Sequence, residues 1–478
     1  MRTNSGKISP MSLKRVTLEH KDALLCIIDQ GIVSVASFAT SVLVGRNAPQ
    51  ELGVYYIVLS IVYFIRGIQQ QMISTPYTIF HHKYQNGGLD ASPSDIEQRI
   101  TKNGGPSQSL VEASITSRSD HDNPYQPPSS PESANSNAAG LDSYRGSCLI
   151  QQFGLTTLAS LFLLGAAIAA SFGWLESPIV TPLIVLLFLL PALLMREVVR
   201  QYCFAHQENV SVLAIDSVIS VLQIGCIVVL GYFGFLSGAN AWVVIGLASF
   251  GTLAFWYIQY GPKISFEKSR LGTDWNQNWG FGKWAVGGQV IGSLPTYCIP
   301  LLLAAVAGVE SAGFFAAVVT LVGVANIFNT GMANFLTPRA AKVYAEEGTQ
   351  GLRRVITFAS LVFLVTVGSF SALLALFGEQ IAVELFGDQY AGLQTAITIM
   401  AIAILCDSFD IVASSGLFVL EKIKANFWLD VVLMIVSVAA AVLLVLPFGF
   451  IGAVWTSLII SLTSALLRFI LLAAYLRK

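Results

Sequence analysis

Charge is what this sequence has least of. Lys, Arg, Asp and Glu make up 12% of its 478 residues, about half the share in a soluble domain. The net charge is −1, and no basic tract is dense enough for a nucleic-acid surface. The six cysteines (Cys26, Cys148, Cys203, Cys226, Cys298 and Cys406) stand singly, mostly within apolar runs. With no CxxC or similar ligand spacing, a disulfide framework is not expected, and the expectation is small buried side chains. The five histidines have no partners at metal-ligand spacing, and His81-His82 sits at the end of an apolar run. No GxxxxGK[ST], HExxH or GxSxG occurs, so the chain lacks the local signatures of a phosphate-binding loop, a zinc peptidase and a serine hydrolase. No enzyme and no cofactor are expected.

What is abundant is apolar sequence, 54% of the chain. It falls into about a dozen blocks, each near the roughly 20 residues needed to cross a bilayer as a helix. Twelve spans are predicted: 24–44, 54–80, 148–172, 179–203, 211–232, 239–260, 283–306, 313–336, 355–377, 391–418, 426–446 and 451–475. The polar, basic stretch 1–23 precedes the first run, which is too long for a cleaved signal and reads as a retained span.

The connections alternate in charge. Of the 27 Lys and Arg, only Arg46 lies in one set of connections, beside Glu51, Glu176, Glu310, Glu379, Glu384 and Asp388. Arg66 and Arg468 lie inside spans, and the rest belong to the other set or the span ends adjoining it. The positive-inside rule then places both termini in the cytoplasm.

The spans repeat. Gly53-Val-Tyr-Tyr resembles Gly313-Phe-Phe-Ala, 260 positions on, and Thr75-Pro76 resembles Thr337-Pro338. Phe204-Ala-His-Gln-Glu parallels Phe418-Val-Leu-Glu-Lys, Asp216 parallels Asp430, and Phe233-Gly-Phe parallels Phe448-Gly-Phe. The fold class expected is an all-α polytopic membrane protein, its twelve helices forming two parallel, pseudo-symmetric six-helix lobes around a central cavity. The N-terminal lobe covers 24–260 and the C-terminal lobe 283–476, with 261–282 as a cytoplasmic linker. The extra residues of the first copy, 85–147, are rich in Ser, Pro, Asn and Gly and read as a disordered cytoplasmic loop.

Polar residues inside spans are costly and are therefore functional candidates. Arg66 lies about 18 Å into span 2 at helical rise. Gln69 and Gln70 share its face, and Asn326 and Asn329 occupy the equivalent face of span 8. Two such stripes suit a shared cavity, with Arg66 either an anion contact or a structural arginine paired with an acid. Asp29 in span 1 is either a proton or sodium site or the partner of Arg66. Asp407 and Asp410 share a face of span 10 and suit a cation, or simply a solvated vestibule. Asp216 and Asp430 sit near helix N-termini, where acids are comfortable. Arg196, Arg200 and Lys283 are expected to snorkel, or to meet a phosphate entering from the cytoplasm. Arg468 is a weaker cavity candidate, and Trp174 and Trp242 are expected to be interfacial anchors.

With its two six-span lobes, its turns after spans 1 and 7, and the Thr-Pro endings of spans 2 and 8, the chain resembles the multidrug/oligosaccharidyl-lipid/polysaccharide (MATE-like) exporters. Within that superfamily it resembles the polysaccharide-biosynthesis membrane proteins, the O-antigen flippases of the Wzx type. The resemblance implies alternating access around a central cavity and transport of an oligosaccharide on a polyprenyl pyrophosphate across the cytoplasmic membrane. It also implies polysaccharide polymerase and other assembly proteins as partners beside the lipid bilayer. Arg66 would then meet the pyrophosphate, since arginine matches phosphate geometry. Two other readings stay open: a cation-coupled multidrug or metabolite exporter with Asp29 as its ion site, and a non-transporting scaffold docked through 85–147.

Overall fold

In the computed structural model the chain is described over residues 10–85, 131–169, 172 and 177–477. Residues 1–9 of the expected tail, 86–130 of the expected loop, and Trp174 lie outside the described residues. Every long element is a helix. In chain order these are α1 (Pro10–Asn47), α2 (Pro49–Gln69), a π-helical turn (Gln70–Ser74), α3 (Thr75–Gln85), α4 (Pro131–Ala169), α5 (Ser177–Ala205), α6 (Asn209–Tyr232) and α7 (Gly238–Tyr260). Then come α8 (Lys268–Ala307), α9 (Val309–Val322), α10 (Ala325–Phe386), α11 (Gln394–Val419), α12 (Ile423–Ala440) and α13 (Leu446–Leu476).

Ten stretches among the described residues are long and apolar enough to cross a bilayer. Two are too long for one crossing: Ala325–Phe386 has 62 residues and Lys424–Leu476 has 53, against roughly 20 for a bilayer. Each is broken by one glycine with positive φ, Gly348 (66°) and Gly449 (54°), a region that costs a side-chain-bearing residue energy. With those breaks, and with α9 running into the first half of α10, the helices match the twelve predicted spans.

Three boundaries differ. Helix α1 starts at Pro10, inside the expected tail. The last part of the expected loop is helical from Pro131, because Leu141, Tyr144 and Cys148 share a face that buries against Ile73, Tyr77 and Phe80. Most of the expected linker is helical too, since α8 begins at Lys268 and buries Asp274, Asn278 and Gly282 at four-residue spacing. Asn278 donates to Gln151 Oε1 (2.9 Å) and accepts from Tyr144 Oη (2.8 Å), which fastens α8 to α4. Composition suggested a polar linker; the helix period within it is the signal that was missed.

The duplication is visible in the backbone. Gln207 and Glu421, equivalent in the repeat, both have φ 59°, an uncommon value for residues other than glycine. The caps around them also match: Glu208 N donates to Cys203 O (2.8 Å) and Lys422 N to Leu417 O (3.0 Å). Within the first lobe α1 packs on α6 and α5 on α7; within the second α10 packs on α11 and α11 on α13.

The lobes meet where α2 crosses α9, at two glycines related by the repeat. A Cβ on Gly53 would lie 2.0 Å from Val309 O, and one on Gly313 would lie 1.8 Å from Pro49 O. Pro49 and Val309 are themselves 260 positions apart, as the two glycines are, so the crossing maps onto itself when the lobes are exchanged. Small residues let helices approach in this way where apolar burial alone gives no drive to associate.

The same end of the molecule, the one poor in Lys and Arg, carries further ties. Arg46 donates to Leu385 O and Glu384 O (both 2.7 Å), and Gln389 Nε2 (3.0 Å) and Tyr390 Oη (3.2 Å) donate to Gly45 O. The lone basic residue of that end thus fastens α1 to α10. Trp242 is part of this core rather than an interfacial anchor: it is buried, stacks on Tyr55 and donates to Tyr55 O (3.1 Å).

Candidate functional site

Helix α8 touches both lobes, packing on α2, α3 and α4 on one side and on α9, α12 and α13 on the other. Along it lies a cavity of about 320 Å³ lined by Gly288, Gln289, Gly292, Ser293, Thr296 and Tyr297. The polar members fall at i, i+4, i+7 and i+8, one helix face. The two glycines add no bulk, and nothing lies within 4 Å of where their Cβ atoms would be. None of these side chains is charged at neutral pH.

Helix α2 stands against this strip. A Cβ on Gly67 would meet the Gln289 amide at 2.7 Å, and Tyr297 makes edge contacts with Tyr63 and Phe64. Arg66 is the neighbour of Gly67, and its side chain is 37% exposed. The cavity strip was missed in the sequence because it carries no charge, although its spacing within Gly287-Gly-Gln-Val-Ile-Gly-Ser-Leu-Pro-Thr-Tyr was legible.

The two polar stripes divide by repeat position. Arg66 and its equivalent Asn326 are at least partly exposed, as is Gln70. Gln69 and its equivalent Asn329 are buried within their own lobes: Gln69 donates to Leu194 O (2.8 Å), and Asn329 accepts from Ser408 Oγ (2.9 Å). Gln69 and Asn329 are therefore struts rather than cavity contacts, because a residue on the same helix face can still turn toward the neighbouring helix. Lys283 is exposed, within α8.

Behind Arg66 lies a buried ionic network. Arg66 pairs with Glu197 on α5 (2.7 Å), not with Asp29. Asp29 pairs with Arg200 (3.0 Å), which also meets Asp216 (2.8 Å) and lies 3.7 Å from Glu197. Arg196 donates to Asp216 through Nε (3.0 Å) and Nη2 (2.6 Å). Three arginines and three carboxylates balance. Arg196 and Arg200 do not snorkel; their side chains are 17% and 9% exposed and turn inward to Asp216, which is fully buried. A nearby carboxylate outcompetes distant water for an arginine in a low-dielectric interior.

The second lobe has its own cluster on the equivalent acid. Arg468 holds Asp430 and Asp410 (2.5 Å) and donates to Asn426 Oδ1 (2.9 Å), and Ser464 donates to Asp410 (2.7 Å). Arg468 is thus the centre of a lobe-internal cluster, not a loose cavity residue. Asp407 lies on the same helix face as Asp410 and is partly buried. Of the six cysteines, all free, Cys148 and Cys203 are buried while Cys226 and Cys298 are exposed, which corrects the expectation of uniform burial.

No protein-family model and no curated protein matches the chain. Solved structures do. The inward-facing conformation of a multidrug resistance MATE family transporter of the MOP superfamily aligns with TM-score 0.65 at 15% identity, over 93% of this chain and 94% of that one. The outward-facing conformation of such a transporter aligns at 0.57 and 14%, over 95% and 94%. A MOP superfamily transporter from Pyrococcus furiosus, described by a reverse polarity of its binding pocket, aligns at 0.57 and 14%, over 95% of each chain. At such identities the likeness concerns architecture, and the architecture is plain: this chain has the two-lobed, all-helical membrane fold of the MATE transporters.

Proposed function

We propose that this chain is a membrane transporter, a flippase that carries a polyprenyl-pyrophosphate-linked oligosaccharide across the cytoplasmic membrane by alternating access. Both termini lie in the cytoplasm in this reading, as the Lys and Arg distribution supports. The observation that carries it is one partly exposed guanidinium, Arg66, on the helix that packs against an uncharged strip of amide and hydroxyl groups, Gln289, Ser293, Thr296 and Tyr297. A guanidinium suits a pyrophosphate, which it can grip through two parallel hydrogen bonds. Neutral donors and acceptors suit the hydroxyls of a sugar. Gln70, Asn326 and Lys283, all exposed, extend the polar surface available to such a substrate. Proton or sodium coupling through Asp29, Asp407 or Asp410 would supply the energy.

A second reading, a cation-coupled exporter of drugs or small metabolites, is favoured by the multidrug resistance transporters among the structures that share the fold. One of those structures is described by a pocket of reverse polarity, so pocket chemistry, not the fold, has to decide. Deleting the gene should abolish surface glycan and cause its lipid-linked precursor to accumulate in the inner leaflet. Drug sensitivity with intact glycan would instead favour the exporter.

A further inference from the structure

The ion pair between Arg66 and Glu197 has an unequal geometry. The Arg66 side chain is 37% exposed, whereas that of Glu197 is 7% exposed. Glu197 Oε2 is 2.7 Å from Arg66 Nη2 and 3.7 Å from Arg200 Nη1, and its other oxygen accepts from Gln201 Nε2 (3.2 Å). One carboxylate oxygen therefore faces two guanidiniums, a near one that is partly exposed and a farther one that is buried. The other charges of this cluster are Asp29 on α1, Asp216 on α6 and Arg196 on α5, and Asp29 and Asp216 already hold Arg200.

From this we infer that Glu197 is an internal competitor for the anionic group of the substrate, setting how tightly Arg66 holds it and returning Arg66 after release. The inference rests on the reading of Arg66 as the anion contact. When a phosphate takes Arg66, Glu197 is left with Arg200 and Gln201, so the buried carboxylate is never without a donor. That makes the exchange affordable, since a buried charge stripped of every partner would be very costly. When the phosphate leaves, the carboxylate recovers Arg66. The competition weakens binding and in return permits release, which a transporter needs as much as capture.

The test is binding of farnesyl pyrophosphate, a short prenyl pyrophosphate, to the full chain in detergent by calorimetry, with thermal unfolding followed in parallel. Glu197→Gln should bind about tenfold more tightly, the change expected when a close competing charge is removed. Glu197→Asp, which keeps the charge, should stay near wild type, and Arg66→Gln should lose binding. A purely structural role for Glu197 would not raise affinity. If the wild type binds and Arg66→Gln does not, but a folded Glu197→Gln binds no more tightly, the competitor role is overturned while the Arg66 reading survives. If the wild type fails to bind, or Arg66→Gln binds equally well, the Arg66 reading fails and this inference fails with it.

Discussion

Asp216→Ala should cost the N-terminal lobe about 3–5 kcal/mol, the usual penalty for removing one member of a buried ion pair. Its carboxylate is fully buried and is shared by Arg196 and Arg200, so the substitution strands positive charge away from water. Asp216→Asn keeps one acceptor and should lose less. The repeat supplies a control. Asp430 is the equivalent acid, but it is 30% exposed, and Arg468 keeps Asp410 and Asn426 without it. Asp430→Ala should therefore cost nearer the ~1 kcal/mol of an exposed pair. Thermal or denaturant unfolding in detergent reads both. Equal losses would contradict the difference in burial described for the two clusters.

Gly313→Ala should disrupt the lobe crossing outright. The added Cβ would stand 1.8 Å from Pro49 O, a backbone atom that no rotamer change can move. Gly53→Ala meets Val309 O at 2.0 Å and should behave alike. Overpacking of side chains costs about 1–3 kcal/mol, and a clash of backbone against Cβ belongs at or above the top of that range. The expected outcome is a sharp fall in monodisperse protein and, on the proposed function, in glycan export. Gly225→Ala, on α6 with nothing within 4 Å, is the matched control; it should be neutral or slightly stabilising, since alanine is the better helix former. Normal yield and activity for Gly313→Ala would mean that the crossing is looser than described.

These two sites also show how far the sequence could be read. Gly53 and Gly313 stood out as the anchor of a repeat, and the contact they make follows from that symmetry. The equivalence of Gln207 with Glu421 was likewise present in a five-residue match, and the backbone repeats it in the same unusual dihedral. The twelve spans were legible because apolar length is a strong signal. Charge partners were not. Asp29 and Arg200 are 171 residues apart, and nothing in spacing along a chain selects one arginine among several at the same depth. Arg196 and Arg200 looked like residues that reach for water because they sit near span ends, but Asp216 on the next helix offers a nearer partner. The helix in 268–282 was hidden by its polar composition, and the strip of Gln289, Ser293, Thr296 and Tyr297 was hidden by its lack of charge.

The central claim is that Arg66 meets the anionic part of a lipid-linked glycan. Its most direct test is complementation of a deletion strain with wild type, Arg66→Ala and Arg66→Lys, reading surface glycan and lipid-linked intermediate with expression checked in parallel. Arg66→Ala should be made at normal levels yet leave the intermediate trapped inside, while Arg66→Lys tells whether charge alone suffices or the guanidinium fork is needed. Normal glycan export by Arg66→Ala would contradict the account and leave Arg66 as no more than the structural partner of Glu197.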